Sequence, residues 1–304
     1  MKENSFKLPA FAKINWFLNI LGKRDDGFHE ICTAFQTVSL CDFLTFSESD
    51  DLTLTCDLND IPTDETNLII KAAKALQTAF NIQKGAKIHL EKNIPSPGGL
   101  GGGSADAAIT LLGLAKLWDI KTDLPTLSDI GEKLGADVPF FLYGGTASGT
   151  GKGTEIGQID DIIEEYLLIV TPNVNVQTAE AYQKLDAPHL TNVDSKSILE
   201  ICFHEVEKLK SKQQVLRNDF EKVIFSIEPE IKRVKDSLLK FNPKFVLMSG
   251  SGASVFAVFE NDETRQATIK ALESEINWRQ FAVATISREN YREALKQVLT
   301  VVSD

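Results

Sequence analysis

Five of the six residues from Gly98 to Gly103 are glycine, inside the segment Pro95-Ser96-Pro97-Gly98-Gly99-Leu100-Gly101-Gly102-Gly103-Ser104-Ala105. Glycine forfeits side-chain contacts and loses more conformational freedom on folding than any other residue, so such a run is a poor way to fill a core. What it permits is close approach of backbone N–H groups to a ligand. A helical pattern follows at once, with Leu111, Leu114, Ala115 and Trp118 on one face. Loop amides and a helix N-terminus then converge on one spot, which suits an anion, and a nucleotide phosphate is the usual one. Two better-known phosphate loops do not fit. G-x-x-x-x-G-K-[ST] fails because Gly153 follows Gly151-Lys152, and G-x-G-x-x-G fails because Gly99-x-Gly101 leads to Ser104. The plain alternative is a flexible turn.

Local patterns order the remaining chain. From Ala10 to Leu21, Ile14, Trp16, Leu18 and Ile20 alternate with Lys13, Asn15, Phe17 and Asn19. Period two predicts a strand with one core face, leaving Lys13 and Asn15 together on the other. Arg24 to Gly27 reads as a turn into a second strand over Ile31 to Leu40. A helix is expected over Asn67 to Phe80, a short strand over Lys87 to Glu91, and a helix near Leu127 to Leu134. After Tyr166 the rhythm becomes strand, helices, two strands, helix, strand, a split βαβ or ferredoxin-like order. We place the boundary between Gly157 and Tyr166, giving units of residues 1–160 and 161–304.

Composition limits the function classes. With 304 residues, 43% of them hydrophobic, the chain can bury a sizeable core. A net charge of −11 argues against nucleic-acid and anionic-membrane partners, which need a basic footprint, but leaves room for a local basic pocket. The N-terminus carries no signal-peptide pattern and no apolar run approaches the ~20 residues of a membrane span, so a cytoplasmic protein is expected. Cys32, Cys41, Cys56 and Cys202 form no C-x-x-C pair and read as reduced, mostly buried thiols. No carboxylate cluster has metal-ligand spacing.

Three segments in order resemble the GHMP kinase superfamily. They are Ala12-Lys13-Ile14-Asn15 through Asp26-Gly27-Phe28-His29; Pro95 to Ala108 with Leu134-Gly135-Ala136-Asp137-Val138-Pro139; and Met248-Ser249-Gly250-Ser251-Gly252-Ala253. The lysine-to-histidine stretch is most similar to the branch whose acceptor is a cytidine-diphosphate-linked methylerythritol, on the route to isopentenyl diphosphate. Pro97, Ala105 and Phe28 depart from that branch's usual small residue, serine and tyrosine.

The resemblance implies an α+β, two-domain fold. The first domain would be similar to the second domain of ribosomal protein S5, the second to a ferredoxin. It further implies an ATP-dependent small-molecule kinase with ATP in Pro95, Ser96, Pro97, Gly98, Gly99, Leu100, Gly101, Gly102, Gly103, Ser104 and Ala105. Mg²⁺ would be held mainly through the nucleotide phosphates. Asp137 would be the catalytic base and Lys13 its partner, with Asn15 holding the substrate hydroxyl or a phosphate oxygen. Phe28 and His29 would meet the cytosine, with Tyr182 stacking across it and Thr178, four residues earlier, also binding the substrate. The Ser249 to Gly252 turn would line the site near the phosphates. His89, His189 and His204 have no such context and read as structural. Another small-alcohol kinase of the homoserine or mevalonate type, and an inactive nucleotide-binding protein on the same fold, are the alternatives. The oligomeric state, monomer or dimer, stays open.

Overall fold

The computed structural model describes residues 5–185, 187–188, 190, 195–210, 216–300 and 302–303; His189 lies outside them. The first part of the chain runs β1 (Phe6–Lys23), β2 (His29–Ser49), β3 (Leu52–Cys56), α1 (Leu68–Phe80), β4 (Gly85–Glu91), α2 (Gly102–Leu117), β5 (Thr122–Asp123), α3 (Leu124–Glu132), α4 (Val138–Tyr143), β6 (Thr146–Thr150) and β7 (Glu155–Gln158). The second runs β8 (Leu167–Pro172), α5 (Thr178–Gln183), α6 (Ser195–Lys210), α7 (Glu221–Ile227), α8 (Pro229–Leu239), β9 (Phe245–Met248), β10 (Val255–Val258), α9 (Asp262–Ala271), β11 (Trp278–Val283), α10 (Arg288–Ala294), α11 (Lys296–Leu299) and β12 (Val302–Ser303).

β1 and β2 form a long antiparallel pair, extended by β3 and β4 on one side and β6 and β7 on the other. The expected alternation of one core face and one polar face does not survive. From Ala12 to Leu18 β1 is buried on both faces, and three cores meet along the strand, Leu18 joining the third. Leu8 and Ala10 pack with Phe35, Leu44, Phe46 and the helices, whereas Ile14, Trp16 and Phe17 pack with Leu167, Ile169 and Phe256 of the second sheet. Register shifts between Phe11 and Lys13 and between Asn15 and Phe17 bracket the polar pair. Such irregularities twist a strand and re-aim its side chains.

α2 was expected to bury one face. Instead Ala105 through Ala115 are buried all round, as suits a helix at the centre of a layer. Gly113 lies so close to the Phe46 ring that a Cβ there would come within 2.7 Å of it. α1 begins where asparagine allows it, with the Asn67 side chain accepting from the N–H of Ile69.

The second sheet has the order β11-β8-β10-β9, and every pairing is antiparallel. Helices precede β9, and α9 links β10 to β11, so the ferredoxin-like order read from the sequence is the observed one. After β11 the chain returns to the first layer. Tyr291, Leu295 and Val298 join its core, the Tyr291 hydroxyl donates to the Phe141 carbonyl, and β12 pairs parallel with β5.

The cysteine expectation needs correction. Cys32 on β2 and Cys202 on α6 are disulfide-bonded, with Cα atoms 5.5 Å apart across 170 residues of sequence, while Cys41 and Cys56 are free. Spacing could not reveal the pair, because it arises only where α6 docks on the first sheet. No described helix is long and apolar enough to cross a membrane.

Candidate active site

Lys13 is 3% exposed and Asn15 fully buried, although both are polar. Each is paired. The Lys13 ammonium donates to Asn15 Oδ1 at 2.7 Å and lies 3.4 Å from Asp137 Oδ2. Asn15 Nδ2 donates to Thr33 Oγ1 at 2.8 Å, and that hydroxyl donates to the Phe17 carbonyl at 2.6 Å. The Phe35 ring closes the other side of the ammonium, 5.5 Å away. This chain of donors leaves the asparagine one orientation and holds the lysine aimed at the cleft. Asp137 stands at the N-terminal boundary of α4, where a capping role is the ordinary reading for an aspartate. Its side chain makes no capping bond. The carboxylate, about a third exposed, faces Lys13 and the open cleft instead.

That cleft, about 430 Å³, gathers Pro95 to Gly99, Gly101 to Ser104, Lys13, Asn15, Asp137, Thr178 and Tyr182. Leu100 and Ala105 do not line it, because both side chains sit in the core. Leu100 contributes its carbonyl, which accepts the Lys13 backbone N–H at 2.9 Å and ties β1 to the loop.

The glycine run proves to serve packing as well as openness. Gly99 and Gly101 have φ of +70° and +71°. A Cβ on Gly99 would overlap the carbonyls of Ser249 and Gly252, and one on Gly101 would lie 2.7 Å from the Phe141 ring. Gly103 differs: its nearest neighbour would be Leu68 Cδ1 at 3.5 Å. The Ser249–Gly252 turn is docked directly on the loop. Ser249 Oγ donates to the Gly99 carbonyl at 3.0 Å, and the Ser254 N–H to the Gly98 carbonyl at 3.1 Å. Asn218 holds the turn from behind, donating to the Met248 and Gly250 carbonyls. Nothing in the sequence singled out Asn218, whose role depends on where α7 lands.

Beside the cleft lies a second cavity of about 680 Å³, lined among others by Lys23, Phe28, His29, Lys133, Lys152 and Tyr182. Phe28 is 57% exposed, a large ring facing open space. His29 stacks on Tyr182 with centroids 5.0 Å apart, and Tyr182 meets Phe220 edge-on. Burial, reinforced by the charge of Lys23, lowers the His29 pKa. That environment favours the neutral imidazole, which has one N–H and one lone pair to offer. Burial first, then the charge of Asp137, pushes the Tyr182 phenol up to about 12. Thr178 Oγ1 and Ser251 Oγ are 2.8 Å apart at the mouth of the cleft. Sequence reading passed over Lys152, met only as the failed end of a phosphate motif. Its ammonium lies 4.8 Å over the Phe28 ring, and the residue borders both cavities. Glu132 lines the same cavity and pairs with Lys152 at 3.8 Å, so Lys23, Lys133 and Lys152 leave it with a net positive lining that the acidic total leaves room for.

Residues 67–145 match the family described as GHMP kinases N terminal domain, and residues 195–277 that described as GHMP kinases C terminal. A curated protein of Solibacter usitatus, named 4-diphosphocytidyl-2-C-methyl-D-erythritol kinase, is 36% identical over 297 residues, covering 96% of this chain and 92% of its own. One of the same name from Chloroherpeton thalassium is 40% identical over 266 residues, covering 86% of this chain and 92% of its own. Among solved structures, a 4-(cytidine 5'-diphospho)-2C-methyl-D-erythritol kinase superposes with a TM-score of 0.73 at 30% identity, covering 92% of this chain and 99% of that one.

Proposed function

This chain belongs to the GHMP kinase family, and we propose that it transfers the γ-phosphoryl group of ATP to the 2-hydroxyl of 4-diphosphocytidyl-2-C-methyl-D-erythritol, a step on the methylerythritol phosphate route to isopentenyl diphosphate. The observation that carries this is the junction of two cavities. A glycine-lined cleft containing Asp137 and Lys13 opens beside an aromatic cavity with the His29 imidazole, and Tyr182 and Lys152 border both. A homoserine- or mevalonate-type acceptor would leave the aromatic cavity empty. A coupled ADP-release assay offering the cytidine substrate, homoserine and mevalonate tests the assignment; turnover of either of the last two in preference to the first overturns it.

In this reading the backbone of residues 95–105 cradles the ATP phosphates, and the acceptor hydroxyl lies between Asp137 and the γ-phosphorus. Asp137 takes the hydroxyl proton as the new O–P bond forms and the bond to the β,γ-bridging oxygen breaks, releasing ADP. Lys13 orients that carboxylate and offsets negative charge gathering on the transferred group. Asn15 keeps the ammonium in place. Among the described residues no group of three or more His, Cys, Asp or Glu side chains is placed to hold a metal ion. The cleft's own oxygen atoms, among them the Asp137 carboxylate and the hydroxyls of Ser96, Ser104, Thr178 and Ser251, are hard donors of the kind that Mg²⁺ carried by the nucleotide phosphates would take. When bound, it would neutralise phosphate charge.

Gly103 permits a clean test of the phosphate loop. Gly103→Ala meets no close atom and replaces a helical glycine with a residue better suited to a helix by up to about 1 kcal/mol. The expected result is an unchanged or higher Tm with ATP affinity lowered about tenfold, equivalent to ~1.4 kcal/mol. Calorimetry showing unaltered ATP binding would reduce the loop to a turn. Gly101→Val, by contrast, should lose stability as well, because of its positive φ and the Phe141 ring.

The base site has its own signature. Phe28→Ala should raise the acceptor KM about tenfold, using ~1–3 kcal/mol as the scale for one stacked base. Phe28→Tyr should be nearly neutral, since the ring face is kept. Lys152→Ala and His29→Ala should weaken the cytidine substrate while sparing a truncated methylerythritol phosphate that lacks the base. Equal impairment of both substrates would mean that these residues read no base. With the His29 pKa below the usual 6.5, acceptor KM should stay flat from neutral pH downward and rise only as the imidazole gains its proton, a change absent in His29→Gln.

A further inference from the structure

Behind the glycine loop three charged side chains are buried together: Asp42 on β2, Lys92 immediately after β4, and Asp106 in the second turn of α2. The Lys92 ammonium bonds Asp42 Oδ2 and lies 3.1 Å from Asp106 Oδ2. The other Asp42 oxygen accepts the N–H groups of Asn93 at 2.5 Å and Ile94 at 2.8 Å. A Cβ on Gly102 would lie 2.9 Å from Lys92 Nζ, so the ammonium sits directly under the first residue of α2. Lys92 is not among the residues lining the nucleotide cleft. Burial pushes the Asp106 carboxyl up against the pull of Lys92, and its Oδ1 has no hydrogen-bond partner.

A buried ion cluster contributes little net stability compared with apolar side chains of the same volume. Its particular property is geometric, since charges from three separate segments must meet at one point. Here one of those segments, Asn93-Ile94, leads into the loop, and another, Gly102 to Asp106, leads out of it. Both ends are thereby pinned to the same ammonium and its partner carboxylate, with residues 95–101 spanning between them.

We propose that Lys92, with Asp42 and Asp106, is a positioning residue that holds the glycine loop at its nucleotide-binding shape before ATP arrives. It acts through the loop backbone and touches neither substrate. Preorganisation of this kind spares the ligand the cost of ordering the loop, so its loss falls on ATP and not on the acceptor. The inference rests on the reading of residues 95–105 as the nucleotide loop.

The test uses two full-length variants, Lys92→Met and the charge-free triple Asp42→Asn/Lys92→Met/Asp106→Asn, in which the side-chain amide oxygen at position 42 can still accept the two loop N–H groups. Tm, the KM for ATP and for the acceptor, and amide hydrogen exchange of residues 98–104 are measured. ATP KM should rise about tenfold or more, acceptor KM should stay within about twofold, and loop amides should exchange faster in the free enzyme. If the single variant does not fold, its unpaired carboxylates explain that and the triple decides. Unchanged ATP KM in a folded variant, equal rises in both KM values, or a triple that fails to fold would overturn the proposal; in the last case the cluster holds the domain together. Gly103→Ala separates the two readings. Should it also leave ATP affinity untouched, the loop assignment itself has failed; should it weaken ATP while the Lys92 variants do not, only the positioning role falls.

Discussion

Asp137→Asn lowers kcat on the order of 10²-fold or more while acceptor Kd changes little, because it removes the proton acceptor and keeps its shape. The geometry makes this a clean substitution. Asp137 makes no capping bond, is partly exposed to the cleft, and pairs among the described residues with Lys13 at 3.4 Å. An asparagine oxygen can still face that ammonium, so the fold has little to lose. Isothermal binding and single-turnover kinetics separate the two quantities. A variant with near wild-type single-turnover rate takes Asp137 out of the mechanism, and one with normal chemistry but a weakened acceptor Kd makes it a binding residue.

Lys13→Met is the second large effect, expected to lower kcat by about 10²- to 10³-fold, the scale for losing one preorganised charge donor at a reacting centre. Methionine preserves the stem that passes Gly101 and gives up the ammonium held over the Phe35 ring. It leaves Asn15 Oδ1 without its donor, which should cost about 1–3 kcal/mol of stability and appear as a lower Tm. The informative measurement is the double variant. If Lys13 acts largely through Asp137, then Lys13→Met/Asp137→Asn should be scarcely slower than the worse single variant, since members of one catalytic unit are strongly non-additive. Multiplicative losses would place the lysine on the phosphoryl group independently of the aspartate.

The buried environment of Lys13 illustrates what pattern alone misjudges. Alternation along Ile14, Trp16, Leu18 and Ile20 predicted the strand correctly, but it also predicted a polar face turned from the core. Period two reports which residues share a side of a strand; it carries no information on how many layers will cover that side. The glycine loop and the segment before α4 cover it here, and Lys13 is tolerated because Asn15, Asp137 and the Phe35 ring are waiting for it. The glycine run teaches the same lesson from the other direction. Its lack of side chains was legible as space for a ligand. That Gly99 makes room for the carbonyls of Ser249 and Gly252, and Gly101 for Phe141, was not.

The amino-acid sequence by itself determined the local pieces: the strand bearing Lys13 and Asn15, the glycine loop feeding α2, and the strand–helix order of the ferredoxin-like half. Each follows from backbone permission or short-range periodicity, which act within a few residues. Tertiary structure alone decided which pieces meet. It set the Asp137 carboxylate beside Lys13, laid Lys152 over Phe28, bonded Cys32 to Cys202, docked the Ser249–Gly252 turn on the loop and drove Lys92 beneath Gly102. Those encounters join residues far apart in the chain, and they depend on strand order, register and the packing of one sheet against another, quantities that no local pattern encodes.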